Sequence, residues 1–102
     1  MPTSLSVKTL DDIRRHRDEI YALAAKHGAS NVRVFGSFAK NMQTERSDIG
    51  FLADFAPGCS YKDIGRLQYD LQEFLGRSVD LLTEKSIHWF IRDEVVHEAI
   101  LL

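Results

Sequence analysis

Helices packed against a small mixed β-sheet, an α/β (α+β) architecture, are what the sequence predicts, and three observations carry that prediction. Two segments open with the same Ser/Thr-x-x-Asp spacing, Thr9 to Asp12 and Ser60 to Asp63, and run with apolar residues at helical intervals to a glycine, Gly28 and Gly76. Short β-branched or apolar runs at 31–35, 48–55 and 78–82 lie among them. The two periodicities alternate along the chain, as they do when helices cover a sheet.

Taken in order, Thr9 caps a helix that begins near Leu10, with Leu10, Ile13, Ile20, Leu23 and Ala24 on one face and Asp11, Arg14, Arg15, Asp18 and Lys26 on the solvated one. Asn31 to Phe35 reads as a strand through Val32 and Val34, stopped abruptly by Gly36 and Ser37. A short helix and a polar loop are expected over 38–46. Strand character returns from Asp48 to Phe55. Pro57-Gly58 turns the chain into the second capped helix, where Ile64, Leu67, Leu71 and Leu75 recur at helical spacing. A third strand follows from Ser78 to Leu82, and a last helix is expected from about Ser86 to Leu102 through Phe90, Ile91, Val95, Ala99 and Leu102.

With 102 residues the chain can build one modest core, so a single domain over 1–102 is expected. It is 44% hydrophobic and 27% charged with a formal net charge of -2, the profile of a globular protein rather than a disordered or membrane one. Thirteen basic residues are dispersed among fifteen acidic ones, so stable nucleic-acid binding is not expected and attraction to phosphate has to come from a local site. The lone Cys59 has no partner for an internal disulfide, the first twenty residues hold no apolar stretch of signal-peptide kind, and no run is long enough to span a bilayer. A cytoplasmic location is the expectation.

The chemistry concentrates in three short pieces: Gly36-Ser37-Phe38-Ala39-Lys40, Ser47-Asp48-Ile49-Gly50-Phe51-Leu52 and Val79-Asp80-Leu81-Leu82. A Gly-Ser pair between a strand and a short helix offers backbone N–H groups, a hydroxyl and a helix dipole to a phosphate oxygen; the plainer reading is a tight turn with a cap. Asp48 opens an apolar strand and shares a face with position 50, since side chains two apart on a strand point the same way. Were the next strand its neighbour, Asp80 would approach closely enough for both carboxylates to hold one hard cation such as Mg²⁺. The alternative is that Asp48 caps a loop and Asp80 pairs with an arginine.

Together these pieces resemble the minimal nucleotidyltransferase (MNT) family of the DNA polymerase beta-like superfamily. That family carries Gly-Ser, ten intervening residues, Asp-x-Asp, and a third Asp on a later strand. Here Gly36-Ser37, ten residues, and Asp48-Ile49-Gly50 keep that register, with Asp80 as the later carboxylate, while Asn41 stands where a glycine is common. The resemblance covers about residues 20–102. It implies a nucleotidyltransferase-like fold, a triphosphate site at Gly36 and Ser37, beside which Lys40 is either a further nucleotide contact or a solvated loop charge, and carboxylates that bind Mg²⁺ and perform two-metal phosphoryl transfer with ATP as substrate. It further implies an antitoxin paired with a HEPN-type toxin protein, to which AMP is transferred.

Gly50 falls where the resemblance calls for the second aspartate, and a glycine supplies no ligand. Asp54 lies on the same strand face as Asp48 but six residues away, roughly 20 Å along a strand, and Glu45 and Asp63 sit at loop and cap positions. Weakened Mg²⁺ binding is therefore expected, with Asp48 and Asp80 holding one remaining ion. The competing expectation, from a different class of protein, is an antitoxin that acts by covering its partner, its nucleotide site vestigial.

Other residues carry less. His16, His27, His88 and His97 lack zinc-site spacing, and Cys59 has no recognisable His and carboxylate partners. Lys40 and Arg46 flank the proposed phosphate loop. Phe90 is expected in the core, Trp89 is open between core and docking, and the apolar end Ile100-Leu101-Leu102 points to cover by the same chain or by a second copy through the C-terminal helix.

Overall fold

The computed structural model describes residues 7–87 and 89–102. His88 and the side chains of residues 89–92, on which the expectations for His88, Trp89, Phe90 and Ile91 fall, lie outside the described part. In chain order the elements are α1 (Leu10–Arg15), α2 (Arg17–Lys26), β1 (Ala29–Phe35), α3 (Ser37–Lys40), β2 (Ile49–Phe55), α4 (Tyr61–Leu75), β3 (Val79–Leu82), α5 (Trp89–Glu98) and β4 (Ile100–Leu101). The sheet has the order β3-β2-β1-β4, with β2 and β3 parallel and the other neighbours antiparallel, so it is mixed as predicted.

Both capping boxes form. Thr9 Oγ1 accepts from the Asp12 N–H while Asp12 accepts from the Thr9 N–H, and Ser60 and Asp63 repeat the exchange at α4. The first helix, expected to be continuous, breaks at His16. Its backbone there (φ -108, ψ 23) closes a tighter turn, with the His16 N–H donating to the Ile13 carbonyl, and its ring packs edge-on against Phe74 of α4. Ile13 and Ile20, on either side of the break, are both fully buried.

Alternation along the strands sorts the sheet into two faces. Val34, Ile49, Phe51, Ala53, Val79 and Leu81 pack with Ile13, Ile20 and Ala24 and with Leu67, Leu71 and Leu75 of α4, forming the main core on the helix side. Gly50, Leu52, Asp54, Asp80, Arg33 and Phe35 therefore lie on the opposite face. That face is not uniformly wet: Leu52 is fully buried and Arg33 is 9% exposed, its guanidinium donating to Asp54 and Glu84.

The chain end departs from expectation. The helix stops at Glu98, and Ile100–Leu101 pair with β1 through Arg33↔Leu101 and Val34↔Ile100, followed by a bond from the Leu102 N–H to the Val32 carbonyl. The physical reason is on β1, whose outer edge would otherwise present unpaired peptide groups beside buried side chains. Of the apolar tail, Leu102 enters the core of its own chain and Leu101 is exposed. β1 also begins two residues earlier than predicted, because a bulge between Ser30 and Arg33, with Asn31 at φ 51, lets Ala29 and Ser30 pair with Phe55 and Asp54.

Candidate functional site

The three sequence pieces meet at one end of the sheet. Gly36 closes β1 at φ 78 and ψ -150, a backbone region open essentially only to glycine, and hands the chain directly to α3. No side chain caps the first turn of α3, so its leading N–H groups are left to solvent or a ligand. Asn41 ends α3 in the left-handed conformation at φ 58, which explains why asparagine replaces glycine there with little strain.

Asp48 lies one residue before β2, and Asp80 is the second residue of β3. The β2–β3 register places Gly50 opposite Asp80, and the β1–β2 register places Phe35 opposite Gly50, so Phe35, Gly50 and Asp80 stand in one row across three strands. At strand spacing the Cα atoms of Asp48 and Asp80 are about 8 Å apart on the diagonal, close enough for both carboxylates to reach one cation. Both side chains are exposed, and neither makes a hydrogen bond or ion pair among the described residues. Among the described residues neither the loop-cap nor the arginine-pair alternative for these aspartates is realised.

A third carboxylate is missing from this arrangement. Among the described residues no group of three His, Cys, Asp or Glu side chains is placed to hold a metal ion. Asp54 is occupied by Arg33 at 2.8 Å and Asn31 at 2.9 Å, and Asp63 by its own capping box. At Gly50 itself, a Cβ would lie 2.8 Å from the Phe35 carbonyl oxygen and 2.9 Å from two atoms of its ring. Phe35 thus leans into the space that an aspartate at 50 would need. Two unpaired carboxylates nevertheless fit a single Mg²⁺, which is ordinarily held by one or two carboxylates together with substrate phosphates and water.

Of the flanking cations, Lys40 bonds Glu98 at the end of α5, 3.1 Å away, and Arg46 has no acidic partner among the described residues. Composition and motif gave no hint of Arg77, which follows Gly76 in the turn between α4 and β3. Its guanidinium donates to the carbonyls of Ser47, Val7 and Thr44 at 2.9, 2.6 and 2.6 Å. A cavity of about 840 Å³ opens beside it, lined by residues that include Gln43, Arg46, Asp48 and Ser78. Gly36, Ser37 and Asp80 are outside that lining, so of the two carboxylates only Asp48 borders the cavity.

Two of the histidines and the cysteine make ordinary polar contacts. His16 bonds Glu19, His27 bonds Asp70 at 2.6 Å, and the half-buried Cys59 thiol donates to the His27 carbonyl at 3.7 Å. No helix among the described residues is long and apolar enough to cross a membrane.

A strand running into Gly-Ser, a neighbouring strand led by an aspartate and a parallel third strand bearing another are arranged as in a nucleotidyltransferase-type fold. The chain belongs to the Nucleotidyltransferase domain family, whose match covers residues 13–102. It is 42% identical over 91 residues to a Methanocaldococcus jannaschii protein provisionally named a protein adenylyltransferase, covering 89% of this chain and 95% of that one. The protein adenylyltransferase MntA of Thermococcus cleftensis is 29% identical over 100 residues, covering 94% and 98%. A solved structure provisionally described as a minimal nucleotidyltransferase superposes with a TM-score of 0.83 at 38% identity, covering 95% of this chain and 99% of that one. A toxin-antitoxin structure with AMP-PNP shares the fold at a TM-score of 0.70 and 22% identity, covering 82% and 69%.

Proposed function

We propose that this chain is an antitoxin-type nucleotidyltransferase that binds ATP at Gly36 and Ser37, with Asp48 and Asp80 as the ligands of Mg²⁺, and transfers AMP to a HEPN-type toxin protein. The observation that carries the reading is the row of Phe35, Gly50 and Asp80 beside Asp48 at the end of the Gly36 turn. The protein adenylyltransferase names of its relatives supply the group transferred and the kind of acceptor. Transfer joins an acceptor hydroxyl oxygen of the partner to the α-phosphorus, releases the hydroxyl proton to solvent and breaks the bond from that phosphorus to the bridging oxygen of departing pyrophosphate. Bound Mg²⁺ supplies charge neutralisation on the phosphates. The chain's own part is to seat the triphosphate on the open first turn of α3 and to keep two exposed carboxylates unpaired at the same end of the sheet.

With Gly50 in place of a carboxylate, catalysis by this chain is weak. The same residue favours a second reading, in which the protein neutralises its partner by binding alone. Calorimetry of ATP binding with and without Mg²⁺, on this chain and on Gly50→Asp, separates the two. Mg²⁺-dependent ATP affinity that rises in Gly50→Asp supports the transferase reading; absence of ATP binding in both proteins, with a tight partner complex, supports the second.

A further inference from the structure

Arg77 leaves α4 just after the left-handed Gly76 and runs beneath the loop that leads into Asp48. Its three guanidinium nitrogens each donate to a different backbone carbonyl, and the acceptors, Val7, Thr44 and Ser47, come from two stretches far from it in sequence. No carboxylate pairs with Arg77 among the described residues, so the planar fork is used wholly on peptide oxygens. Its Cζ also lies 5.1 Å from the ring centre of Phe38, the fully buried residue that follows Ser37 in α3.

The loop it grips has little else to hold it. Residues 44, 45, 46 and 48 are exposed, and the remaining ties are the local turn between Thr44 and Ser47, a bond from the Gln43 amide to the Lys8 carbonyl, and the Ile49 N–H to Ser78. One side chain thus contacts the residue before Asp48 and the residue after Ser37, and stands three positions ahead of Asp80. We infer that Arg77 is a positioning residue that orders the 44–48 loop and so fixes the Asp48 carboxylate relative to Ser37 and Asp80. A lysine would keep the charge but reach one carbonyl at a time.

The metal side of this inference rests on the function proposed above; the ordering of the loop does not. The test is Arg77→Lys beside the parent, followed by amide hydrogen exchange and by calorimetry of ATP with and without Mg²⁺. Exchange at 44–48 is expected to accelerate at least about tenfold while the amides of Val34 and Phe51 keep their rates. The Mg²⁺-dependent part of ATP affinity is expected to fall about tenfold, the usual scale for a residue that orients a metal ligand, with metal-free ATP affinity unchanged. Equal acceleration throughout the core would reduce Arg77 to a general stabiliser and overturn the inference, as would parent-like exchange at 44–48 in the lysine variant. If the parent itself shows no Mg²⁺-dependent ATP binding, the function proposal fails, and the exchange pattern alone still decides whether Arg77 orders the loop.

Discussion

Gly50 faces Asp80 across the parallel β2–β3 ladder, and on its other side Phe35 occupies the room a side chain at 50 would take. The glycine therefore does two things at once: it offers no ligand oxygen beside Asp80 and it relieves a close approach. Adding a Cβ there brings an atom within 2.8 Å of a backbone oxygen, which cannot swing aside as a ring can.

Restoring the acid is accordingly expected to cost stability. Gly50→Ala and Gly50→Asp should both unfold at lower denaturant concentration, by about 1–3 kcal/mol, the range for overpacking a close-fitted site. Adding Phe35→Leu to Gly50→Asp should recover part of the loss, because the ring contact goes and the carbonyl contact stays. Urea melts of the four proteins check this; a Gly50→Ala protein as stable as the parent would show that β1 and β2 yield freely.

The edge of the sheet at β3 is managed by two glutamines. Gln72 and Gln68 of α4 accept from the N–H groups of Val79 and Leu81, the peptide groups on either side of Asp80. Four residues of helix rise about 6.0 Å and two of strand about 6.6 Å, so an i,i+4 pair on α4 matches an i,i+2 pair on β3. Replacing both with alanine leaves two part-buried donors unmet and should cost about 2 kcal/mol in total. It also reopens an edge for pairing with another chain, so sedimentation of Gln68→Ala/Gln72→Ala should show self-association absent from the parent.

Asp12 gives a pH dependence with a definite sign. Its carboxylate accepts from the N–H of Lys8 and of Thr9, and these bonds, the Lys8 one foremost, hold its pKa below the ordinary carboxylate value, with Arg15 adding to the effect. A depressed folded-state pKa means the cap contributes above the unfolded value of about 4 and fades as pH falls through the folded one. Asp12→Asn should therefore be less stable than the parent near neutrality, with the gap closing as melts are taken from pH 6 downward below 4. A gap that stays constant over that range would assign the effect to something other than the charge.

The features legible in the sequence were those set by local chemistry. The capping boxes at Thr9 and Ser60, the stop at Gly36 and the apolar spacing of α4 each depend on residues within a few positions, and each formed where expected. The strand at Ile100–Leu101 was read as helix because a short apolar run fits either period; the unpaired edge of β1 decided it, and that edge exists only once the sheet is assembled. The approach of Asp48 and Asp80 depended on β2 and β3 being neighbours, which the sequence left open and the parallel ladder realises. Arg77 was not legible, since its acceptors are carbonyls 30, 33 and 70 positions away and backbone oxygens carry no sequence signal.

Lys40 illustrates the same limit from the other side. The sequence offers it to the nucleotide or to solvent, but its ammonium bonds Glu98 at 3.1 Å, and both groups are substantially exposed. An exposed ion pair of this kind contributes about 0–1 kcal/mol, so a triphosphate bound at Gly36 and Ser37 could draw the ammonium away at small cost. Removing the competitor should then help: Glu98→Gln is expected to raise ATP affinity by up to about fivefold, most at low salt where Lys40 is least screened. Lys40→Ala should lower it, and in that background Glu98→Gln should have no effect. If Glu98→Gln changes ATP affinity equally with and without Lys40, the lysine does not contact the phosphates and serves only to tie α3 to α5.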